Sequence, residues 1–450
     1  MQIKKYRICI LLILGVFVGC KKFLDPKPLQ SLIVPSNLED LQALLDDEGT
    51  INSLDISAGE ISSDDYYLNR SDLESLPYEE YRRMYTWQND RIFRSTTNDW
   101  SSAYRVVFST NVVLDNLSKI ERTPSNQIQW ENVKGQALFV RAKQFFSAVL
   151  TWAPAYDPAT ADQDLGVPLR STQDFNVSSF RASVSDCYRQ VTEDLILAGS
   201  LLSDEPLAKT RASKPAAWGL LARVYLSMGD YDNCLKYTDL YLQKRGGLLD
   251  YNKDINIDLR TPFPRFNKEI CFDSFQNHMM LSQSRAKVDY NLYSSYDDND
   301  LRKSAYFRKI AENTFCFKGN YSLGIFGGIA TDEVYLMRAE CRVRKGDVKG
   351  ALSDLNALLI KRWKTGTLKL IVIENPKELL NVILLERRKE LIMRGLRWMD
   401  VKRLNRQGAG IVLKRSLDGK NYELPANDNR YALSIPEDIL AYSGMAQNKR

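Results

Sequence analysis

Two segments of this chain repeat a single plan, and that plan restricts the fold more than any other feature. In KPAAWGLLARVYLSMGDYDNCLKYTDLYL, Ala217, Leu220, Leu221, Val224 and Met228 share one helical face before Gly229-Asp230 turns the chain. Tyr231, Cys234, Leu235 and Thr238 then begin a second face. The plan recurs in TDEVYLMRAECRVRKGDVKGALSDLNALLIKRW, where aligning Gly346-Asp347 with Gly229-Asp230 also aligns Ala339 with Ala222 and Leu352 with Leu235. Val348, Ala351, Leu352, Leu355 and Leu359 make the buried stripe of that second hairpin. A helix pair cannot bury its apolar stripe alone, so repeated hairpins imply a stack.

The spacing Trp218-x-x-Leu221-Ala222-x-x-Tyr225 resembles the first helix of a tetratricopeptide repeat, with Ala222 in the glycine position. Upstream, Trp100, Tyr104, Val107, Phe108, Asn111 and Leu114 fall on one face of a helix over 100–117. Val133, Ala137, Val140, Gln144 and Ala148 do the same over 133–152, and both stripes read as core. Residues 153–180, rich in Pro, Asp and Ser, and 246–330, rich in Gly, Asn, Tyr and Phe, interrupt the helices. Loops of that length are functional or disordered, and their aromatic content argues for order. The expected fold is mainly α, helix-pair repeats carrying an irregular, loop-rich half.

The first residues form a leader. Lys4, Lys5 and Arg7 precede an apolar run from Ile8 to Val18, too short to span a hydrocarbon core that needs about 20 residues. Gly19-Cys20 follows and resembles the bacterial lipobox, in which the cysteine takes a lipid; Phe17 departs from its usual aliphatic residue. We therefore expect residues 1–19 to be a lipoprotein signal peptide and 20–36 a lipidated start and tether. Residues 37–450 form one domain, with an N-terminal part of about 37–245 and a C-terminal part of about 246–450. The formal charge is +6, of which three positives sit in the leader, leaving a scattered +3 that supports no nucleic-acid footprint.

Composition removes several chemistries. His278 is the only histidine of the 450 residues, and no GxSxG pattern accompanies it, so a structural role is expected and no catalytic residue is assigned. Cys187, Cys234, Cys271, Cys316 and Cys341 contain no CxxC pair, which argues against zinc and against a disulfide framework. No cofactor and no metal are expected. The run Asp297-Asp298-Asn299-Asp300 lacks the glycine and terminal glutamate of a calcium loop and reads as an acidic turn.

Six motifs in order carry a resemblance to the SusD/RagB-like outer-membrane lipoproteins of Bacteroidetes. CKKFLDPKP resembles their lipidated start, WSSAYRVVFSTNVVLDNL and GQALFVRAKQFFSAVLTWAPAY their early helices, and KPAAWGLLARVYLSMGDYDNC their central repeat. LLERRKELIMRGLRWMDVKRL matches the family signature at Glu386, Arg387, Glu390, Leu391, Gly395, Arg397, Trp398, Asp400 and Arg403. Arg394 departs, since an acid commonly precedes that glycine. RYALSIPEDILAYSGMAQN resembles the closing segment. The resemblance implies a bundle of four tetratricopeptide-like helix pairs and a lid over a SusC-like TonB-dependent transporter. It also implies a protein that captures glycans, or in some members peptides, at the cell surface, tethered through lipid on Cys20 and without enzymatic activity. The Glu386, Glu390, Arg397 and Arg403 charges read as structural, pairing in and around one helix.

A glycan site needs aromatic platforms beside groups that satisfy hydroxyls. Two stretches qualify, SSDDYYLNRSDLESLPYEEYRRMYTWQND and VDYNLYSSYDDND. The candidate contacts are Asp65, Tyr66, Tyr67, Trp87, Asn89, Tyr290, Tyr293 and Tyr296, whereas Tyr78, Tyr81 and Tyr85 have helical spacing that also suits a core. The alternatives are capture of a peptide in a deeper polar cavity and a helical scaffold that binds only proteins. A hydrolase built on two acids has no motif behind it.

Overall fold

In the computed structural model, which describes residues 35–417 and 419–450, both anticipated hairpins form. The leader, Cys20 and nearly all of the tether lie outside the described residues. The principal helices are α1 (Leu38–Leu45), α2 (Asp99–Leu117), α3 (Gln127–Trp152), α4 (Val184–Leu201), α5 (Lys214–Met228) and α6 (Tyr231–Lys244). They continue with α7 (Thr331–Arg344), α8 (Val348–Ile360), α9 (Pro376–Glu390), α10 (Arg397–Arg406) and α11 (Glu437–Ser443). Among the described residues no helix is long and apolar enough to cross a membrane.

The hairpin turns use the same device twice. Gly229 and Gly346 take φ of 77° and 86°, left-handed values that an L side chain adopts only with strain. Asp230 and Asp347 then cap the next helices, accepting from the backbone N–H of Asn233 and Gly350. Each helix packs on its successor from α2 through α8, α9 also lies on α7, and α1 leans on α2 and α3. Ala217, Leu220, Leu221 and Val224 are fully buried, as are Ala351 and Leu355. Helix α3 is enclosed on most sides, with Val133, Ala137, Val140, Gln144 and Ala148 all interior.

The loop-rich half is ordered by short antiparallel pairs. These are β1 (Tyr66–Tyr67) with β4 (Lys287–Val288), β2 (Ile270–Phe272) with β8 (Ile329–Ala330), and β3 (Phe275–Gln276) with β7 (Ile325–Phe326). Two local hairpins join them, β5 (Phe307–Ala311) with β6 (Thr314–Phe317) and β9 (Leu413–Leu417) with β10 (Lys420–Leu424). The Asp297–Asp300 run is not a cation cradle. Asp300 is buried against Arg302 and Asp298 pairs with Lys303. The five cysteines of the described region are free and buried, and among the described residues no cluster of acids, histidines and cysteines could hold a metal.

An ion-pair network joins the two halves. Arg362, at the end of α8, donates to Glu269 at 2.8 Å and to Glu390 of α9 at 2.7 Å. Arg302 bonds Asp300 and reaches Glu390 at 3.0 Å and Glu386 at 2.5 Å. Both guanidinium groups are completely enclosed. The signature charges therefore bond mainly between elements rather than along one helix. Arg397 reaches Asp64 at 2.7 Å, and Arg403 reaches Glu340 of α7 at 2.7 Å as well as Asp400 of its own helix. Arg394 is explained by Asp332, which it meets at 2.7 Å beneath the ring of Tyr321.

Removing one partner of a buried pair leaves charge uncompensated, so Arg362→Met should cost about 3–5 kcal/mol of unfolding free energy. Denaturant titration measures it, and a loss below about 1 kcal/mol would show that the network does not bind the halves together.

Candidate functional site

The two stretches singled out for aromatic content meet in space. Register pairs Tyr66 with Val288 and Tyr67 with Lys287, the Asp289 N–H donates to the Asp65 carbonyl at 2.9 Å, and Lys287 pairs with Asp72. Their junction is anchored from the C-terminal signature. Asp64 takes a two-pronged bond from Arg397 at 2.7 and 3.0 Å, and Asp65 accepts from Arg388 at 3.0 Å. Burial works to raise Asp64, but the Arg397 charge holds it down at about 2. Burial raises Asp65 despite Arg388, and it pushes neighbouring Glu60 up to about 8. Glu60 accepts the Gly395 N–H at 2.8 Å.

Of the eight candidate contacts, Asp65, Tyr66, Trp87 and Tyr296 are interior, each at most 3 % exposed. The reason is Arg415, which arrives from β9 and donates to the carbonyls of Ile61 and Ser63 at 2.8 and 2.7 Å. The rings of Tyr66, Tyr85 and Trp87 surround its guanidinium at 5.6, 3.7 and 4.5 Å, a cation–π cage that these aromatics build instead of a ligand platform. Tyr296 donates to the Lys389 carbonyl at 2.7 Å and packs on Phe307. Tyr67, Asn89 and Tyr290 remain exposed, and Tyr293 is half-buried with its ring stacked 3.6 Å from Phe315.

The strongest surface constellation lies next to these, on residues that helical spacing and a lone histidine left unassigned. Tyr78 and Tyr81 meet edge to face at 5.4 Å, Tyr81 meets His278 at 4.5 Å, and Arg94 lies 3.6 Å over Tyr78. All four are partly exposed, whereas Tyr85, one helical turn on, is core. His278 borders two depressions at once. One, of 160 Å³, is lined by Tyr81, Arg94, Asp99 and Ser102 among others. The other, of 310 Å³, is lined by Gln276, Asn277, Met279, Gln283, Phe317 and Asn320 among others.

Electrostatics suit binding rather than acid–base chemistry. Burial pushes His278 down to about 4, so its ring is neutral at physiological pH. Nδ1 accepts the Met280 N–H at 3.3 Å, which assigns the proton to Nε2 as a donor. Gln276 Oε1 and Asn320 Oδ1 have no hydrogen-bond donor in the protein, an uncommon state for buried acceptors. The neutral donor, the accessible Asn277 and Gln283 amides of the lining and the ring edges together suit a ligand rich in hydroxyl groups.

Residues 22–226 match a family model described as starch-binding associating with outer membrane, and residues 331–442 match the model of the SusD family. No curated protein matches the chain. Among solved structures, a SusD superfamily protein from Bacteroides thetaiotaomicron superposes with a TM-score of 0.74 at 22% identity, over 92% of this chain and 100% of the other. A SusD superfamily protein from Bacteroides fragilis gives 0.74 at 20%, over 92% and 99%. A putative sugar binding protein from Bacteroides vulgatus gives 0.72 at 21%, again over 92% and 99%. These likenesses establish the mainly helical, packed-pair fold.

The Glu60 carboxyl offers a pH test of the anchor. Its folded pKa lies above the unfolded value, so the native state holds an extra proton and the associated stability fades as pH rises through about 8. Glu60→Gln keeps an acceptor for Gly395 without titrating. The variant should therefore gain stability relative to the natural chain between about pH 5 and pH 9; thermal melts whose difference stays constant across that range would refute the assignment.

Proposed function

The chain belongs to the SusD family, whose members are non-catalytic binding proteins, and from that premise we propose that it captures a neutral oligosaccharide and hands it to a TonB-dependent transporter of the SusC type. The observation that carries this reading is the His278 site, where Tyr81 packs edge to face on both Tyr78 and His278, and His278 borders a depression lined by amides. A sugar presents apolar C–H faces to the partly exposed rings and hydroxyls to Nε2–H and to the Asn277 and Gln283 amides of the lining. The family model described as starch-binding and associating with outer membrane, and the neighbour described as a putative sugar binding protein, support the same class. Tyr67 and Tyr290, exposed on and just beyond the β1–β4 pair, and exposed Asn89 are further candidate contacts.

The remaining parts of the proposal concern placement. Lipid on Cys20 would hold the protein on the outer membrane facing the exterior, since each buried methylene adds about 0.8 kcal/mol of membrane affinity. The domain from residue 37 to 450 would then sit above the transporter as its lid, with no nucleic-acid partner.

Calorimetry of the full-length protein against neutral oligosaccharides and peptides tests the ligand. Binding to a glycan should weaken at least about tenfold, or about 1.4 kcal/mol, in His278→Ala and in Tyr81→Ala. A response to peptides alone would favour the peptide-binding reading, and silence across both panels would leave only a protein-binding scaffold. Replacing Cys20 with Ala should move the protein from the membrane fraction to the soluble one, and continued retention would refute the lipid anchor. Gentle detergent extraction should bring a large barrel partner with the natural chain.

A further inference from the structure

Helix α2 carries a second feature on a different face. Asp99 and Ser102 border the His278 depression, whereas Trp100, Tyr104, Val107, Phe108 and Asn111 border a separate cleft of 520 Å³. Those residues are the aromatic stripe that reads as core in the sequence. Trp100 and Val107 are indeed interior, but Tyr104 and Phe108 are half-exposed. The opposite walls are the segment from Pro168 to Ser179 and the end of the chain around Ile439, Tyr442 and Met445.

The cleft is built, not left over. Tyr104 donates to the Pro168 carbonyl at 2.8 Å and Asn111 to that of Arg170 at 2.9 Å, fixing the loop to the helix. Arg170 holds the loop's curl, bonding the Asp174 carbonyl at 2.6 Å, Ser179 Oγ at 3.2 Å and the Val177 carbonyl. That curl presents Phe175, stacked on Phe108 at 4.7 Å and 27°, yet 79% exposed. Tyr442, on the facing wall, is 90% exposed. The lining contains no carboxylate and no lysine, and its one cation is already engaged by those three acceptors.

A cleft with aromatic walls, no carboxylate or lysine, one arginine already hydrogen-bonded into the loop, and a rim of Asn176, Ser178 and Ser443 suits an uncharged occupant with a flat apolar face. Its volume lies within the range of about 300–1,000 Å³ typical of small-ligand sites. We propose that it is a second ligand site, taking an uncharged six-membered ring, either a pyranose or an aromatic substituent carried on a sugar. It stands apart from the His278 site and does not depend on that reading.

Methyl-labelled methionine gives each site its own reporter in nuclear magnetic resonance, because Met445 borders this cleft and Met279 the His278 depression. Methyl β-D-glucopyranoside and phenyl β-D-glucopyranoside serve as probes on the full-length protein. The Met445 resonance should shift saturably with at least one of them. A response to both identifies the sugar ring as the determinant, and a response to the phenyl glycoside alone identifies the aromatic group. Phe175→Ala and Tyr442→Ala alter exposed side chains and should weaken that response at least tenfold, while His278→Ala leaves it unchanged. Silence of Met445 with both probes up to their solubility overturns the proposal, whatever Met279 does. So does silence accompanied by loss of a co-purifying barrel protein in the Phe175 and Tyr442 variants, which would make the face a protein contact.

Discussion

Arg362 and Arg302 sit where no water reaches them, and the loop-rich half stays attached to the helical stack through their bonds to Glu269, Asp300, Glu386 and Glu390. Charges enclosed this way are costly unless every one is matched. Glu269 accepts not only from Arg362 but from the Leu249 N–H at 2.7 Å and the Tyr321 hydroxyl at 3.0 Å. Such a network tolerates little displacement, because moving one member strands another in a low dielectric. Strands β2 and β8 flank Glu269 and the start of α7, so their register is set by the same junction.

A second clamp transmits this rigidity to the surface. Arg388 and Arg397, contributed by α9 and α10, grip Asp64 and Asp65 beside Glu60. That grip places β1 against β4, and the Arg415 cage fills the space behind them with the rings of Tyr66, Tyr85 and Trp87. The segment carrying Tyr78 and Tyr81 is thereby set beside His278 from a loop some two hundred residues away in sequence. A binding surface assembled from loops needs such support, because its own backbone has few regular hydrogen bonds to hold it.

Legibility in the sequence followed the range of the physics. The hairpins at Gly229 and Gly346 depend on spacing within a few turns of helix, and both turns formed as expected, although Met228, Tyr231, Leu235, Val348 and Leu352 of the expected stripes are only half-buried. The signature acids and arginines were legible as structural but not in their partners, since Arg403 crosses to Glu340 and Arg397 to Asp64. The tyrosine-rich stretches stood out in the sequence as candidates, but which of their rings are buried did not. Tyr66 and Trp87 turned inward because a buried guanidinium from β9 required acceptors and π faces. Conversely Tyr104 and Phe108, spaced like core, face a cleft walled by the 168–179 loop and the segment around Ile439, Tyr442 and Met445.

The sequence by itself determined the helices, the two glycine turns and the pairing of helices into a stack, because each rests on local geometry. Only the tertiary structure decided which aromatic rings reach solvent, where His278 stands, and which arginine answers which acid. Those outcomes depend on contacts between residues hundreds of positions apart, where burial sets both the charge state of a side chain and the direction it faces.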